Sequence, residues 1–137
     1  MLPELIRERI LLLDGAMGTM IQRLELDEAG VRGDRFADHH KDLKNFSDIL
    51  CLTHPEKITD IHRAYFEAGS DIVETNTFGA SPVGMAEFEL PLDLVDEINR
   101  AAVACARKAA DEWTEQTPDK PRFIAGSIGP TTKQLAI

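Results

Sequence analysis

An α/β fold with a parallel sheet is predicted by three observations. Short apolar runs stand at Ile10 to Leu13, at Asp71 to Val73 leading into Glu74, and at Arg122 to Ala125 leading into Gly126. They are continuous rather than alternating, which suits strands covered on both faces. Amphipathic stretches lie between them, giving the order helix, strand, helix, strand of a βα protein. Each run also passes at its C-terminal end into a polar or glycine-containing signature, where parallel α/β folds place their sites.

Taken in order, Leu2 to Arg9 predicts a short leading helix closing the bottom of the sheet. The first strand, Ile10 to Leu13, follows. From about residue 22 to 52 the chain is rich in Asp, His, Arg and Lys with few periodic apolar positions. It reads as a long loop, and unstructured loops of that size in compact domains usually bind something. The next helix is strongly marked. Thr53 and Glu56 form a capping-box pair, Pro55 suits the first turn, and Gly69 suits the stop. Ile58, Ile61, Tyr65 and Phe66 give it a buried stripe. After the second strand, Leu94, Val95, Ile98, Ala101, Ala102, Cys105 and Ala109 recur at three- and four-residue spacing. Asp96, Glu97, Arg100, Arg107 and Lys108 fill the other face, predicting a helix from Leu92 to near Trp113. Thr131 to Ile137 open a further segment.

The 137 residues allow one domain, but a three-strand parallel sheet leaves two open edges. A (β/α)8 barrel takes roughly 250 residues, so three βα units, spanning 1–137, make a little under half of one. Open edges predict self-association. A net charge of -9, with 15 Lys and Arg against 24 Asp and Glu, argues against a nucleic-acid partner, which needs a concentrated basic face. The pairs Arg7/Arg9 and Arg107/Lys108 read as solvated helix faces. The N-terminus has charges within its first ten residues and a four-residue apolar run. That is too short for a signal core or a membrane span, so a cytoplasmic location is expected. Cys51 and Cys105 stand far apart without metal or disulfide spacing and are expected to be buried small apolar residues.

Three signatures carry the candidate chemistry. Asp14-Gly15-Ala16-Met17-Gly18-Thr19 sets a carboxylate and two glycines at a strand-to-helix turn, where backbone N–H groups can hold an anion. Asp14 either caps the following helix or faces a ligand. Glu74-Thr75-Asn76-Thr77-Phe78-Gly79 puts a carboxylate and three polar side chains where a strand emerges. Glu74 is expected in a structural salt bridge, Thr75 and Asn76 in substrate contact. Gly126-Ser127-Ile128-Gly129-Pro130 combines close backbone approach with a hydroxyl. It is not a GxSxG elbow, and Ser127 reads as a hydrogen-bonding or loop-forming residue. Asp38, His39, His40 and Asp42 match no common metal spacing and read as solvent-facing. His54 and His62 belong to the capped helix and read as ordinary.

In this order and at these separations the signatures resemble the homocysteine-binding domain of cobalamin-dependent methionine synthase. The resemblance runs through LLLDGAMGTMIQ, the segment from RFADHHKDLKNF to SDIVETNTF, EINRAAVACARKAADEW and PRFIAGSIGPTTK. Betaine- and S-methylmethionine-dependent homocysteine methyltransferases share similar strand ends, but the DLK and DILCLTHPE segments are more similar to methionine synthase. The resemblance implies a (β/α)8 TIM barrel that transfers a methyl group to homocysteine sulfur to form methionine, with the thiolate activated by zinc and the methyl group carried on cobalamin from methyltetrahydrofolate. It implies that Asp14, Gly15, Ala16, Met17, Thr75, Asn76 and Ser127 line the homocysteine pocket. The family's zinc ligands are cysteines on later strands, and its folate and cobalamin modules are separate. The resemblance therefore puts no metal ligand and no catalytic group in this chain, and implies that the chain is an inactive fragment whose partners are the remaining barrel strands and those modules. The alternatives are another methyl donor, or a non-catalytic binding or assembly module.

Overall fold

The computed structural model describes residues 2–131 and 133. Helix α1 (Leu2–Glu8) leads into an extended segment, then α2 (Met17–Gln22), α3 (Glu28–Arg32), a 3-10 turn (Ser47–Ile49), α4 (Leu50–Thr53) and α5 (Pro55–Glu67). Strand β1 (Ile72–Glu74) follows, then α6 (Pro82–Ala86), the long α7 (Leu94–Gln116) and β2 (Phe123–Ala125). The two strands are parallel, with Ile72, Val73 and Glu74 opposite Phe123, Ile124 and Ala125. Leu13 bridges to Ile72 in parallel on the other side of β1. The chain is thus a mixed helix and sheet assembly with parallel strand order 10–13, β1, β2.

The first predicted strand is not a regular one. Leu12 O accepts the N–H groups of Asp71 and Ile72, and Asp14 N–H donates to Ile72 O, but its outer edge has no partner among the described residues. Ile10 and Leu12 stay 85% and 54% exposed. The expectation of strands covered on both faces also fails in part. Val73 is fully buried, whereas all of β2 is only half-buried, because a single helical layer, α5 with α7, packs against one side of the sheet. Helix α1 has no buried residue. What closes the bottom is Arg9, expected to be solvated, whose guanidinium grips buried Asp71 at 3.0 and 2.8 Å. Leu12 N–H adds a third bond to that carboxylate at 2.9 Å.

The segment 22–52 is no structureless loop. Val31, Phe36, Leu43, Phe46, Ile49, Leu50 and Cys51 are buried in the main core with Ile58, Ile61 and Ile98. Polar side chains replace regular secondary structure as its scaffold. Asp27 caps α3 through Gly30 N–H. Arg32 pairs with Glu28 and donates to the carbonyls of Ala37, His39 and Lys41, while Glu28 accepts Leu43 and Lys44 N–H. One Arg–Glu pair thus engages five backbone groups of the segment, those of His39 and Leu43 part-buried, where an unpaired group would be costly.

Helix α5 begins at Pro55 as expected, but no capping box forms. Its N-cap is His54, without a side-chain bond. Thr53 closes α4 instead, so its hydroxyl donates to Val31 O and to Ile49 O, and Glu56 takes Lys108 at 2.7 Å. Gly69 does stop the helix, at φ 111°, a value that favours glycine. Helix α7 buries five of the seven predicted positions, Leu94, Ile98, Ala102, Cys105 and Ala109, together with Ala106 and Ala110, while Val95 and Ala101 are only partly buried. It starts two residues later than expected and runs about one turn past Trp113.

Three further expectations change. His62 is fully buried and neither ring nitrogen has a partner among the described residues, so it is not ordinary. Cys51 and Cys105 are buried free thiols as expected, but the fold sets them against each other. His39, His40 and Lys41 bind the turn after α6 through Phe88 O, Glu89 and Glu87 O rather than facing only solvent. The predicted segment beginning at Thr131 lies largely outside the described residues.

Candidate functional site

The ends of the three predicted strands meet at one pocket of about 410 Å³, lined by Asp14, Gly15, Ala16, Met17, Gly18, Ser47, Glu74, Thr75, Asn76, Phe78 and Ser127. All seven residues singled out from the sequence lie in this lining. Parallel pairing is the cause. It sends the C-terminal ends of 10–13, β1 and β2 to the same side, so Asp14, Glu74 and Gly126 emerge together.

Asp14 does not cap α2, whose N-cap is Ala16 with no side-chain bond. Both oxygens of the Asp14 carboxylate lie 3.1 Å from Glu74 N–H. Burial pushes its pKa up to about 6, and the neighbouring Glu74 charge pushes the same way, while the N–H bond opposes them. Glu74 itself is exposed and makes no ion pair among the described residues. The expected structural salt bridge is absent because its side chain leaves the sheet toward the open side. Two carboxylates therefore flank the pocket with no cation between them among the described residues.

The hydroxyls behind the pocket are already engaged. Thr75 and Thr77 are buried and share a 2.7 Å hydrogen bond. Ser127 N–H donates to Thr75 Oγ1 at 3.1 Å and Thr77 Oγ1 donates to Ser127 O at 2.8 Å. This ties the end of β1 to the end of β2. Gly129 completes the tie by bonding Phe78 O at 3.1 Å. A Cβ there would fall 2.4 Å from that oxygen, which is the close approach the GSIGP signature implies. Asn76 donates through Nδ2 to Ser47 O at 2.8 Å and lies 3.7 Å from Cys51 Sγ. Thr75 and Asn76 thus shape the wall with side-chain groups bonded inside the protein, while the Ser127 hydroxyl has no bond among the described residues. Tyr65 supports the first turn by donating to Ala16 O at 3.2 Å.

The profile of the homocysteine S-methyltransferase family matches residues 11–137. The chain belongs to the homocysteine S-methyltransferase family. Among solved structures it is similar to the homocysteine methyltransferase MmuM from Escherichia coli. Against the oxidized form the identity is 28% and the TM-score 0.71, covering 92% of this chain and 39% of that one. Against the metallated form the identity is 26% and the TM-score 0.71, covering 93% and 40%. The chain spans about two fifths of the length of these structures.

Within this homocysteine S-methyltransferase segment, sequence reasoning missed Gly18, Ser47, Glu74 and Phe78 as lining residues, Glu74 because it reads in the sequence as a structural salt-bridge partner. Phe78 was legible as the end of ETNTF; Ser47 gave no signal, because it reaches the pocket only through the fold of 22–52. A zinc thiolate centre does not fit the residues gathered here. The pocket offers carboxylate, hydroxyl and amide oxygens and no thiol or imidazole, and no group of three His, Cys, Asp or Glu suited to a metal occurs among the described residues.

Proposed function

We propose that this chain forms the amino-acid-binding part of an enzyme that transfers a methyl group to the sulfur of homocysteine. The observation that carries the reading is the convergence of three strand-end signatures on one pocket with two unpaired carboxylates, in a chain of this family. A half-buried carboxylate with no cation beside it among the described residues, as Asp14 is, favours a cationic ligand group. Asp14 and Glu74 would hold the ammonium of homocysteine. The free N–H groups of the Gly15 to Gly18 turn and the Ser127 hydroxyl would hold its carboxylate, and Met17 and Phe78 would flank its sulfur arm. Binding this end fixes where the sulfur points, and orientation of the nucleophile is a large part of catalysis of group transfer.

The fold reading proposed with it is three βα units of a (β/α)8 barrel, the exposed faces of Leu12, Leu13, Phe78 and Ile128 being covered by the remaining strands. Zinc, which lowers a thiol pKa when it binds sulfur, would be held outside the residues of this chain, and so would the cobalamin and folate modules of a methionine synthase. That donor is the reading favoured by the DLK and DILCLTHPE segments. The test is a titration of the isotopically labelled chain with homocysteine. Amide signals of Gly15, Met17, Asn76 and Ser127 should move together, and cysteine, one methylene shorter, should move them less. A spectrum unchanged at millimolar homocysteine would sink the proposal.

A further inference from the structure

Asp48 is a buried carboxylate with no part in the binding scheme above. It sits in the 3-10 turn Ser47–Ile49, only 4% exposed. Its Oδ1 accepts Gly79 N–H at 2.7 Å, and the Ala80 and Asp48 N–H groups also support it. No Arg, Lys or His pairs with it among the described residues. Such a group is expensive to bury, and that expense lifts its pKa to about 6. An apolar residue there would leave the Gly79 N–H unpaired in the core, which is costly in turn.

What Asp48 holds is the back of the pocket. Gly79 directly follows Phe78, a lining residue, and Ser47, which directly precedes Asp48, both lines the pocket and accepts Asn76 Nδ2. Phe46 packs so close to Gly79 that a Cβ there would sit 3.1 Å from its ring. Residues 46–51 therefore clasp residues 76–80 at four points, Phe46 on Gly79, Ser47 and Cys51 on Asn76, and Asp48 on Gly79, of which the Asp48 bond is the only charged one. We infer that Asp48 is a positioning residue of the homocysteine pocket, fixing the Asn76 to Gly79 loop in its binding shape through the Gly79 N–H. The inference rests on the homocysteine reading for its ligand, but not for its geometry.

The test uses the full chain with Asp48→Ala, which removes the acceptor, and Asp48→Asn, which keeps one acceptor oxygen without the charge. The readouts are the Gly79 amide and Asn76 side-chain signals, homocysteine affinity, and urea stability. Asp48→Ala should move both signals and weaken homocysteine about tenfold or more, the usual effect of losing a bond to a charged group. Asp48→Asn should restore the signals and bring the affinity back to within about threefold, even where its stability differs from wild type; a purely structural role would make affinity follow stability. If Asp48→Ala fails to fold, Asp48→Asn decides alone: a tenfold loss of affinity with the Gly79 bond intact overturns the inference. It is also overturned if Asp48→Ala leaves the Asn76 and Gly79 signals in place, or shifts them while binding homocysteine normally. A wild-type chain that ignores homocysteine would overturn the ligand reading instead, and the two signals would still report whether Asp48 sets the loop.

Discussion

Replacing His62 by Leu should change how stability depends on pH in a calculable way. His62 is completely buried with both ring nitrogens unpartnered, and burial lowers its pKa from 6.5 to about 4. A histidine harder to protonate when folded contributes nothing to the slope above pH 6.5. Below that the unfolded chain takes up the proton first, so stability falls until the folded pKa is reached near 4. At ~1.36 kcal/mol per pH unit the loss across this window is about 3 kcal/mol. Asp14 and Asp48 oppose it, because their raised pKa values make stability increase as pH falls from about 6 toward the ordinary aspartate range. The wild-type profile alone is therefore ambiguous, and the difference between variant and wild type is the clean quantity. Urea unfolding should find the Leu variant at least as stable at pH 7, since two unsatisfied nitrogens are gone. Its advantage should then grow by about 3 kcal/mol by pH 4. A difference that stays constant from pH 7 to 4 would refute the account and imply a partner for the ring.

Three other outcomes follow from the same geometry. Gly129→Ala should destabilise by ~1–3 kcal/mol, read by urea unfolding, and blunt homocysteine shifts, because the new methyl meets Phe78 O at 2.4 Å. Arg9→Ala should lower the melting temperature and flatten the acid limb. Asp71 has a pKa lowered chiefly by Arg9, so it stabilises above the ordinary aspartate range and loses that contribution as pH falls through its lowered value. The exposed row of Ile10, Leu12 and Leu13 should drive self-association of the chain. Sedimentation should show concentration-dependent mass that Ile10→Ser with Leu12→Ser reduces; a monomer at high concentration in the wild type would contradict this.

What was legible in the sequence is what local chemistry dictates. Most of the α7 stripe follows from 3.6-residue periodicity, and the stop at Gly69 from glycine's freedom at positive φ. The meeting of the three strand-end signatures follows from the rule that parallel strands deliver their C-terminal ends to one side, whereas the particular seven pocket residues rest on the family resemblance. Where the outcome hung on distant partners, the sequence was mute or misleading. Segment 22–52 shows no long periodic apolar pattern because its helices are only three to five residues long, and the turn between them is held by Arg32 and Glu28 rather than by a regular ladder. Thr53 and Glu56 spell a capping box, but a helix ending at Thr53 competes for that hydroxyl and Lys108, 52 residues away, takes the carboxylate. Arg9 looked solvated until Asp71, 62 residues on, came to meet it.

The same cause underlies the imperfect first strand and the character of the pocket. Among the described residues 10–13 has no neighbour on its outer edge and keeps a single bridge to β1, yet that bridge places Asp14 against Glu74 N–H. The sheet's uncovered side then leaves Glu74 without a counter-ion among the described residues, and burial holds the Asp14 pKa up at about 6. A closed barrel wall over Leu12, Leu13 and Ile128 would lower the local dielectric further and strengthen both the pull on a cationic ligand and the penalty on an empty site. Covering that face should therefore raise the Asp14 pKa in the free protein and tighten its hold on an ammonium group. An Asp14 titration that stays unchanged when the face is covered would separate the pocket's electrostatics from the completeness of the sheet.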